Sequence, residues 1–523
     1  MSILRANLDS IAQACWDIGI RQWVVSPGSR NAPLVASIIK HGKFDIIVQA
    51  DERSAAFIGL GANIAKVPTA IICTSGTAAA NYYSAICEAY YAQMPLLVCT
   101  ADRPAELIDS GDGQCIRQKN MYAQHIKNSY HIEGNLHEMA TWNELHAIMQ
   151  GIKNDLNIHD LGPIHLNIPI ADPIYEEVNG PFKPRSFDLA TETENIDKVQ
   201  SIKINPGESV IIYIGEQDAD IENSLKKLQN NFPIITEKTA NIYIENTQTW
   251  EQKSASLSSL PVPDVLITLG KNTVNKSFKT FIKNNRPIKH YHIHTNKYVQ
   301  NPFFTDIQSI RVDDINFILQ QLESHRNENN FNNTWFNHLK IDTELQNILL
   351  KSSAELRAIQ GVFNAEFTAV HIGNSTAIRL AGLLANPSAK IYCNRGTSGI
   401  DGCLSTAMGY ALSQPNQKVA CVLGDISYLY DNNAHWVNPK PQNLQIIILN
   451  NGEGNIFNLI NGPNALPELK TSINTPHYFT AKKMADHYGY SYSANQNAIG
   501  GSTEVVEIFS EGNLNLWKAL GLA

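Results

Sequence analysis

Several features are missing from this 523-residue chain, and each absence narrows what it does. Its apolar runs, such as IIIL at 446–449, fall far short of the ~20 residues that span a bilayer, so no membrane helix is expected. The opening MSILRANLDS has no basic segment followed by an apolar stretch, so no secretory leader is expected either. Basic residues are neither numerous nor clustered: 41 Lys and Arg stand against 49 Asp and Glu, a net charge of −8. That balance argues against nucleic acid or an anionic membrane surface as a partner. No C-x-x-C pair occurs among the eight cysteines, and several sit in apolar runs such as IICT and LLVCT. They read as free buried thiols of a reducing compartment, with neither a disulfide framework nor a zinc site. A soluble cytoplasmic protein is the expectation.

What is present is a globular composition, 43% hydrophobic and 17% charged, too apolar for a disordered chain. At ~100–200 residues per domain the length predicts about three domains. Short β-branched runs alternate with helical patterns from residue 20 onward: QWVVS (22–26), FDIIVQ (44–49), TAIICT (69–74), PLLVCT (95–100) and PIHLNIP (163–169). Such alternation predicts a parallel sheet covered on both faces. DPIYEEVNGPFKPRSFDL (172–189) breaks the pattern and reads as a linker. A second series runs through SVIIYIG (209–215), PIIT (233–236), DVLITLG (264–270) and IKHYHIH (288–294), and a polar, Asn-rich stretch near 323–345 ends it. The third is KIYCN (390–394), KVACVLGD (418–425) and LQIIILNN (444–451). The first strand of the middle series is followed by GEQDAD, without the G-x-G-x-x-G that lets a pyrophosphate approach the backbone. NAD or FAD is therefore not expected there, and the middle unit reads as a structural α/β module.

Two places carry chemistry. Gly424-Asp425 ends one buried strand, and 26 positions later Asn450-Asn451 ends another, followed by Gly452-Glu453-Gly454. Adjacent parallel strands would set Asp425 and Asn451 side by side, an oxygen donor set suited to Mg²⁺ holding a diphosphate. Glycines would admit the phosphates to the loop backbone, and a helix N-terminus would add partial positive charge. Taken alone, a strand-end Asp is more often a cap or turn residue. The second place is FDIIVQADERSAAFIG, where Glu52 falls just past a strand in the first turn of a helix. It is either a carboxylate favoured by the helix dipole or one buried at a domain contact, where it must hydrogen-bond or change protonation.

Together these two places resemble the thiamine diphosphate enzymes. The resemblance narrows with SPGSRNAPL (26–34), DERSAAFIGLG (51–61), TSGTAAANYY (74–83), ADRPAEL (101–107), IGNSTAIR (372–379), NRGTSGIDGCLSTAMG (394–409), GDISYLYD (424–431) and NNGEGNIF (450–457). In that order they are similar to blocks of the 2-succinyl-5-enolpyruvyl-6-hydroxy-3-cyclohexene-1-carboxylate synthase family of the menaquinone pathway. The middle unit matches mainly in layout, with LGKNTVNKSF (269–278) as a local similarity.

The resemblance implies three doubly wound α/β parallel-sheet domains: pyrimidine-binding 1–178, central 186–345 and diphosphate-binding 350–523. It implies thiamine diphosphate with Mg²⁺, or Mn²⁺ in its place. Glu52 would act on N1′ of the aminopyrimidine, and Ile400 would lie under the bent cofactor. Gly424, Asp425, Ser427 and Asn451 would bind the diphosphate end, with the metal on Asp425, Asn451 and the main-chain oxygen of Glu453. The implied substrates, 2-oxoglutarate and isochorismate, are both dicarboxylates. Arg30, Arg103, Arg379 and Arg395 match the family's arginines, Lys276 its lysine, and Gln114 and Ser375 its polar contacts. Guanidinium forks suit carboxylates bidentately. Ser375 could equally cap a helix. A homodimer or homotetramer with its site between subunits is implied. Two departures stand out: Asp112-Gly113-Gln114 replaces the usual Ala-Asn-Gln, and Glu453 sits where a small residue is commoner. The alternatives are another thiamine diphosphate-dependent 2-oxo acid decarboxylase or carboligase, which would need no arginine set, and a catalytically silent homologue.

Overall fold

The computed structural model describes residues 2–157, 161–174, 180–190, 201–217, 219–244, 259–296, 299–340, 343–459 and 462–510. Part of the linker read at 172–189, residues 175–179, lies outside them. The chain divides into two compact units, one of residues 1–194, 396–416 and 430–444, the other of 195–395, 417–429 and 445–523.

The first unit is built on a parallel sheet of β1 (Gln22–Val25), β2 (Asp45–Val48), β3 (Thr69–Cys73), β4 (Leu96–Asp102), β5 (Asn128–His131) and β6 (Pro163–Pro169). Its strand order is β2-β1-β3-β4-β6-β5. Every residue of β3 and β4 is buried, as expected of strands covered on both faces. Trp23, Ile72, Leu97, Met149 and Ile164 belong to the core on one side. The order reverses between β1 and β3, so the loops after them, 26–30 and 74–76, flank the crevice where doubly wound sheets bind ligands. β5 is a polar edge strand with no apolar run, and the sequence reading passed over it.

In the same unit the helix Glu52–Ile64 crosses the helix Cys403–Ser413 with their backbones touching. A Cβ added at Gly61 would lie 2.0 Å from the Thr406 carbonyl oxygen, and one at Gly409 2.0 Å from that of Ile58. Neither glycine tolerates a side chain without forcing the helices apart. This crossing ties the helix that begins at Glu52 to the segment that follows Ile400.

The second unit holds two further parallel sheets. One comprises β7 (Val210–Ile214), β8 (Ile234–Thr236), β9 (Val265–Leu269), β10 (Lys289–His294) and β11 (Ile307–Arg311), ordered β11-β10-β9-β7-β8. Its switch point, between β7 and β9, is closed by main chain. Glu216 N–H donates to the Lys271 carbonyl at 2.7 Å and Lys271 N–H to that of Glu216 at 2.8 Å. Gly215 and Gly270 permit this, since a Cβ on either would strike the opposing carbonyl at 2.3 or 2.5 Å. The Asn-rich stretch forms the helix Asn329–Leu339, with Trp335 fully buried and its indole N–H donating to Pro261 O at 3.0 Å.

The other sheet comprises β12 (Ala369–Ile372), β13 (Lys390–Tyr392), β14 (Val419–Gly424), β15 (Leu444–Asn450), β16 (Tyr492–Ser493) and β17 (Val505–Phe509), ordered β13-β12-β14-β15-β17-β16. The third series thus starts one strand earlier than KIYCN. β12 is short and carries His371, and so lacked an unbroken apolar signature. Among the described residues no helix is long and apolar enough to cross a membrane.

Candidate active site

In the second unit β14 and β15 are neighbours, and their carboxyl ends bring Asp425 and Asn451 together. Asp425 is 3% exposed and starts the short helix Asp425–Tyr430, which also holds the buried Ser427. Its Oδ2 accepts from Asn451 N at 3.1 Å and Gly452 N at 2.8 Å, and its Oδ1 from Ile426 N at 2.8 Å. His477 Nε2 lies 3.2 Å from the same Oδ2. Burial pushes the Asp425 carboxyl above its ordinary range, against the pull of those amides and of His477. Asn451 is half-buried, and its side chain also hydrogen-bonds the buried Glu355. Gly452 takes φ 76°, which bends the loop back over the carboxylate.

This corner fits a hard cation and a diphosphate. One carboxylate, one side-chain amide and a loop carbonyl are oxygen donors only. The position where Gly424 would carry a Cβ has no atom within 4 Å, so space opens beside the strand end. Among the described residues no three His, Cys, Asp or Glu form a metal-binding group. The unusual Glu453 is tied back: its Oε1 accepts from Asn458 Nδ2 at 3.2 Å.

The same unit gathers Ser375, Arg379, Arg395 and Lys276. Arg379 donates to the Ser375 carbonyl at 2.7 Å, and Arg395 to Asn374 Oδ1 at 2.8 Å, so consecutive residues of one turn hold both guanidiniums. Ser375 is the N-cap of the helix Thr376–Gly382 by position, at φ 68°, yet its hydroxyl makes no capping bond. Burial first, then Arg395, lowers the Arg379 pKa. Lys276 opens the helix Lys276–Asn284, whose preceding amides, Val274 N and Asn275 N, donate to the buried Glu237 carboxylate at 2.7 and 2.9 Å.

The first unit carries Arg30, Glu52, Arg103, Gln114 and Ile400. Arg30 is 3% exposed; it donates to Ile170 O at 2.8 Å and meets Asp172 at 3.3 Å, while its Nε is buried without a partner. Its backbone N–H donates to Thr74 Oγ1, linking the β1 and β3 loops. Arg103 donates to Gly113 O at 3.2 Å, so the departing Asp112-Gly113 pair contacts it directly. Gln114 is exposed at φ 57°, packed on Gly76. Glu52 is half-buried at the first turn of its helix and accepts from Asn81 Nδ2 at 3.3 Å.

Ile400 is half-buried in a loop gripped by a residue the sequence reading missed. Glu88, 2% exposed, accepts from Gly396 N at 2.7 Å, Thr397 N at 2.6 Å and Thr397 Oγ1 at 2.7 Å. Asp431, also missed, accepts from Ser405 N and Oγ, both at 2.7 Å. In the second unit Glu507, fully buried, accepts from Asn450 Nδ2 at 2.7 Å beside the Asn451 loop. The available signal was an acid inside an apolar run, as in VVEIF and AICEAYY.

Comparison with known proteins follows this geometry. Residues 7–128 match the family described as thiamine pyrophosphate enzyme, N-terminal TPP binding domain. A protein of Cytophaga hutchinsonii named 2-succinyl-5-enolpyruvyl-6-hydroxy-3-cyclohexene-1-carboxylate synthase is 34% identical, over 95% of this chain and 93% of its own. Proteins of the same name from Flavobacterium johnsoniae and Bacteroides thetaiotaomicron are 34% and 32% identical, over 93% and 92% of this chain and 90% and 88% of theirs.

Proposed function

The chain belongs to the 2-succinyl-5-enolpyruvyl-6-hydroxy-3-cyclohexene-1-carboxylate synthase family, matching a member over 95% of its own length, and we propose that it joins 2-oxoglutarate to isochorismate in menaquinone (or phylloquinone) biosynthesis, with loss of CO₂. Thiamine diphosphate supplies, when bound, the carbon nucleophile and the electron sink for that decarboxylation and carbon–carbon bond formation.

The chain's own residues orient, polarise and neutralise. Glu52 holds or gives a proton at the pyrimidine ring, from a half-buried position steadied by Asn81. Asp425, Asn451 and the Glu453 carbonyl hold Mg²⁺ or Mn²⁺ against the diphosphate, with Gly424 and Ser427 beside it. Ile400 supports the cofactor from a loop that Glu88 fixes. Arg30, Arg103, Arg379, Arg395 and Lys276 receive carboxylates, and Gln114 and Ser375 add polar contacts. The proposal keeps the domains 1–178, 186–345 and 350–523, since each parallel sheet lies within one of them. It takes the working form to be a homodimer or homotetramer with the site shared between subunits.

The observation that carries the reading is the charge of the site loops. Arg379 and Arg395, both half-buried, are held by a backbone carbonyl and an amide oxygen, neutral partners that leave their charge for a ligand, whereas Arg30 also meets the Asp172 carboxylate. A small apolar 2-oxo acid would not call for them. The test is CO₂ release from 2-oxoglutarate, with thiamine diphosphate and Mg²⁺, in the presence and absence of isochorismate. The expected result is rapid turnover only with both substrates. Equal turnover of pyruvate, or no cofactor-dependent turnover at all, would sink the proposal.

A further inference from the structure

In the second unit the helix Lys276–Asn284 carries a second lysine, one that the family resemblance does not single out. Lys279 follows Lys276 by three positions and therefore lies on the same face, one turn on. Helical side chains run back toward the N-terminus. Accordingly the Lys279 ammonium reaches the Thr273 carbonyl at 3.1 Å, beside the loop that leads into Lys276.

That loop sits on Glu237, 6% exposed, which accepts from Val274 N, Asn275 N and the Tyr213 hydroxyl. Arg395 lies within Coulomb reach of Glu237, and Lys279 within reach of Glu237, Arg395, Arg379 and Lys276. Arg395 and Arg379 are themselves anchored on the consecutive residues Asn374 and Ser375. Three half-buried cations, Lys279, Arg379 and Arg395, thus gather with the exposed Lys276 beside them, faced by the Glu237 carboxylate. Burial lowers the Lys279 pKa first; the three neighbouring cations lower it further, and Glu237 opposes them.

Gathering like charges in a partly desolvated corner is costly unless an anion completes it. Glu237 can neutralise only one charge of the four, and its carboxylate is already spent on two backbone amides and a phenol. A monocarboxylate would leave the corner strongly positive, whereas a dianion would come near to balancing it. We propose that Lys279 is a substrate-binding cation which, with Lys276, Arg379 and Arg395, makes this corner selective for dicarboxylates. The proposal rests on the synthase reading above and extends it to a residue and a charge preference.

The probes are glutarate and its monomethyl ester, titrated calorimetrically into the thiamine diphosphate-loaded enzyme. Wild type should bind glutarate at least tenfold more tightly than the ester. Lys279→Gln should weaken glutarate tenfold or more and the ester less than threefold, and Lys279→Arg, which keeps the charge, should stay within threefold of wild type for both. Lys279→Met serves as a second neutral variant should Lys279→Gln fail to fold. If the neutral variant weakens both ligands equally or neither, Lys279 only ties down its loop and the proposal falls, while the synthase reading stands. If wild type itself does not prefer glutarate, the proposal falls, while the synthase reading is decided by its own CO₂-release assay.

Discussion

Asp431→Asn tests whether a buried carboxylate sets part of this enzyme's pH response. Asp431 is fully buried and grips Ser405 through its N–H and hydroxyl. It therefore caps the helix Cys403–Ser413, whose N-cap Gly402 has no side chain to do so. Burial pushes its pKa up to about 7, although Ser405 and Arg53 pull it down. In the unfolded chain the group returns to about 3.9. A folded pKa above the unfolded one means that folding takes up a proton. The associated stability is complete below the unfolded value and is lost as pH rises through about 7. At ~1.4 kcal/mol per pH unit, wild type should lose about 2 kcal/mol from this group between pH 5.5 and 8. An asparagine has the same shape and no titration, so the stability gap between the two proteins should shift by that amount, with wild type gaining toward acid. The assay is paired thermal melts of both proteins across that pH range. Buried histidines are common to both and cancel in the difference. A gap that is the same at pH 5.5 and pH 8 would show that Asp431 does not titrate there.

Three further outcomes are expected. Glu52→Gln should remove most turnover while leaving the melting temperature and Mg²⁺-diphosphate affinity near wild type, because the amide keeps the shape and loses the proton; undiminished turnover would take Glu52 out of the mechanism. Asp425→Ala should weaken cofactor binding and be partly rescued by excess Mg²⁺ and thiamine diphosphate, a rescue Glu52→Gln should not show; unchanged affinity in a cofactor titration would dispose of the metal assignment. Glu88→Ala strands two backbone amides and a hydroxyl at ~1–3 kcal/mol each for those left without water, so it should cost about 3–5 kcal/mol in stability and impair turnover, with Glu88→Gln recovering part of both. A melt within a degree of wild type would refute that clamp.

Strands covered on both faces were legible in the sequence because nothing but apolar residues can fill them. β3, β4, β7, β9, β14 and β15 all lie within runs read from residues alone. The edge strands β5, which reads NSYH, and β11, which reads IQSIR, escaped, because a strand with one free edge need not be apolar throughout. The edge strands β2, β8 and β13 kept apolar runs and were read, while the inner β12 and β17, interrupted by His371 and Glu507, were not. The pairing of Asp425 with Asn451 was legible for a related reason. Two apolar strands that end in polar residues must place those residues at one edge of the sheet if they are neighbours. Lys276 is different. It begins a helix on an otherwise unremarkable middle unit, and only family resemblance singled it out. Glu88 and Glu237 were not picked out, because a lone acid in a helix or loop ordinarily faces water and what reverses that is a distant backbone; for Glu88 the one sign was its place inside the apolar run AICEAYY.

That distant backbone follows one pattern. Glu88 accepts from consecutive amides of Gly396 and Thr397, Glu237 from those of Val274 and Asn275, and Asp425 from those of Asn451 and Gly452. Loops rich in glycine and small residues have little apolar surface to bury, so hydrophobic packing cannot fix them. Their amides are strong donors that must be satisfied, and one carboxylate meets two of them in a single geometry. Glu144 does the same for Glu133 and Gly134, away from any proposed site residue, so the device is a general way of holding a turn here. What sets Asp425 apart is the open space beside Gly424, where a cation could take up the same carboxylate. Glu88, Glu237 and Glu144 hold their turns through the same pair of amide bonds. A loop held through its backbone is fixed without calling on its side chains for packing, as at 396–397, where Glu88 takes both amides.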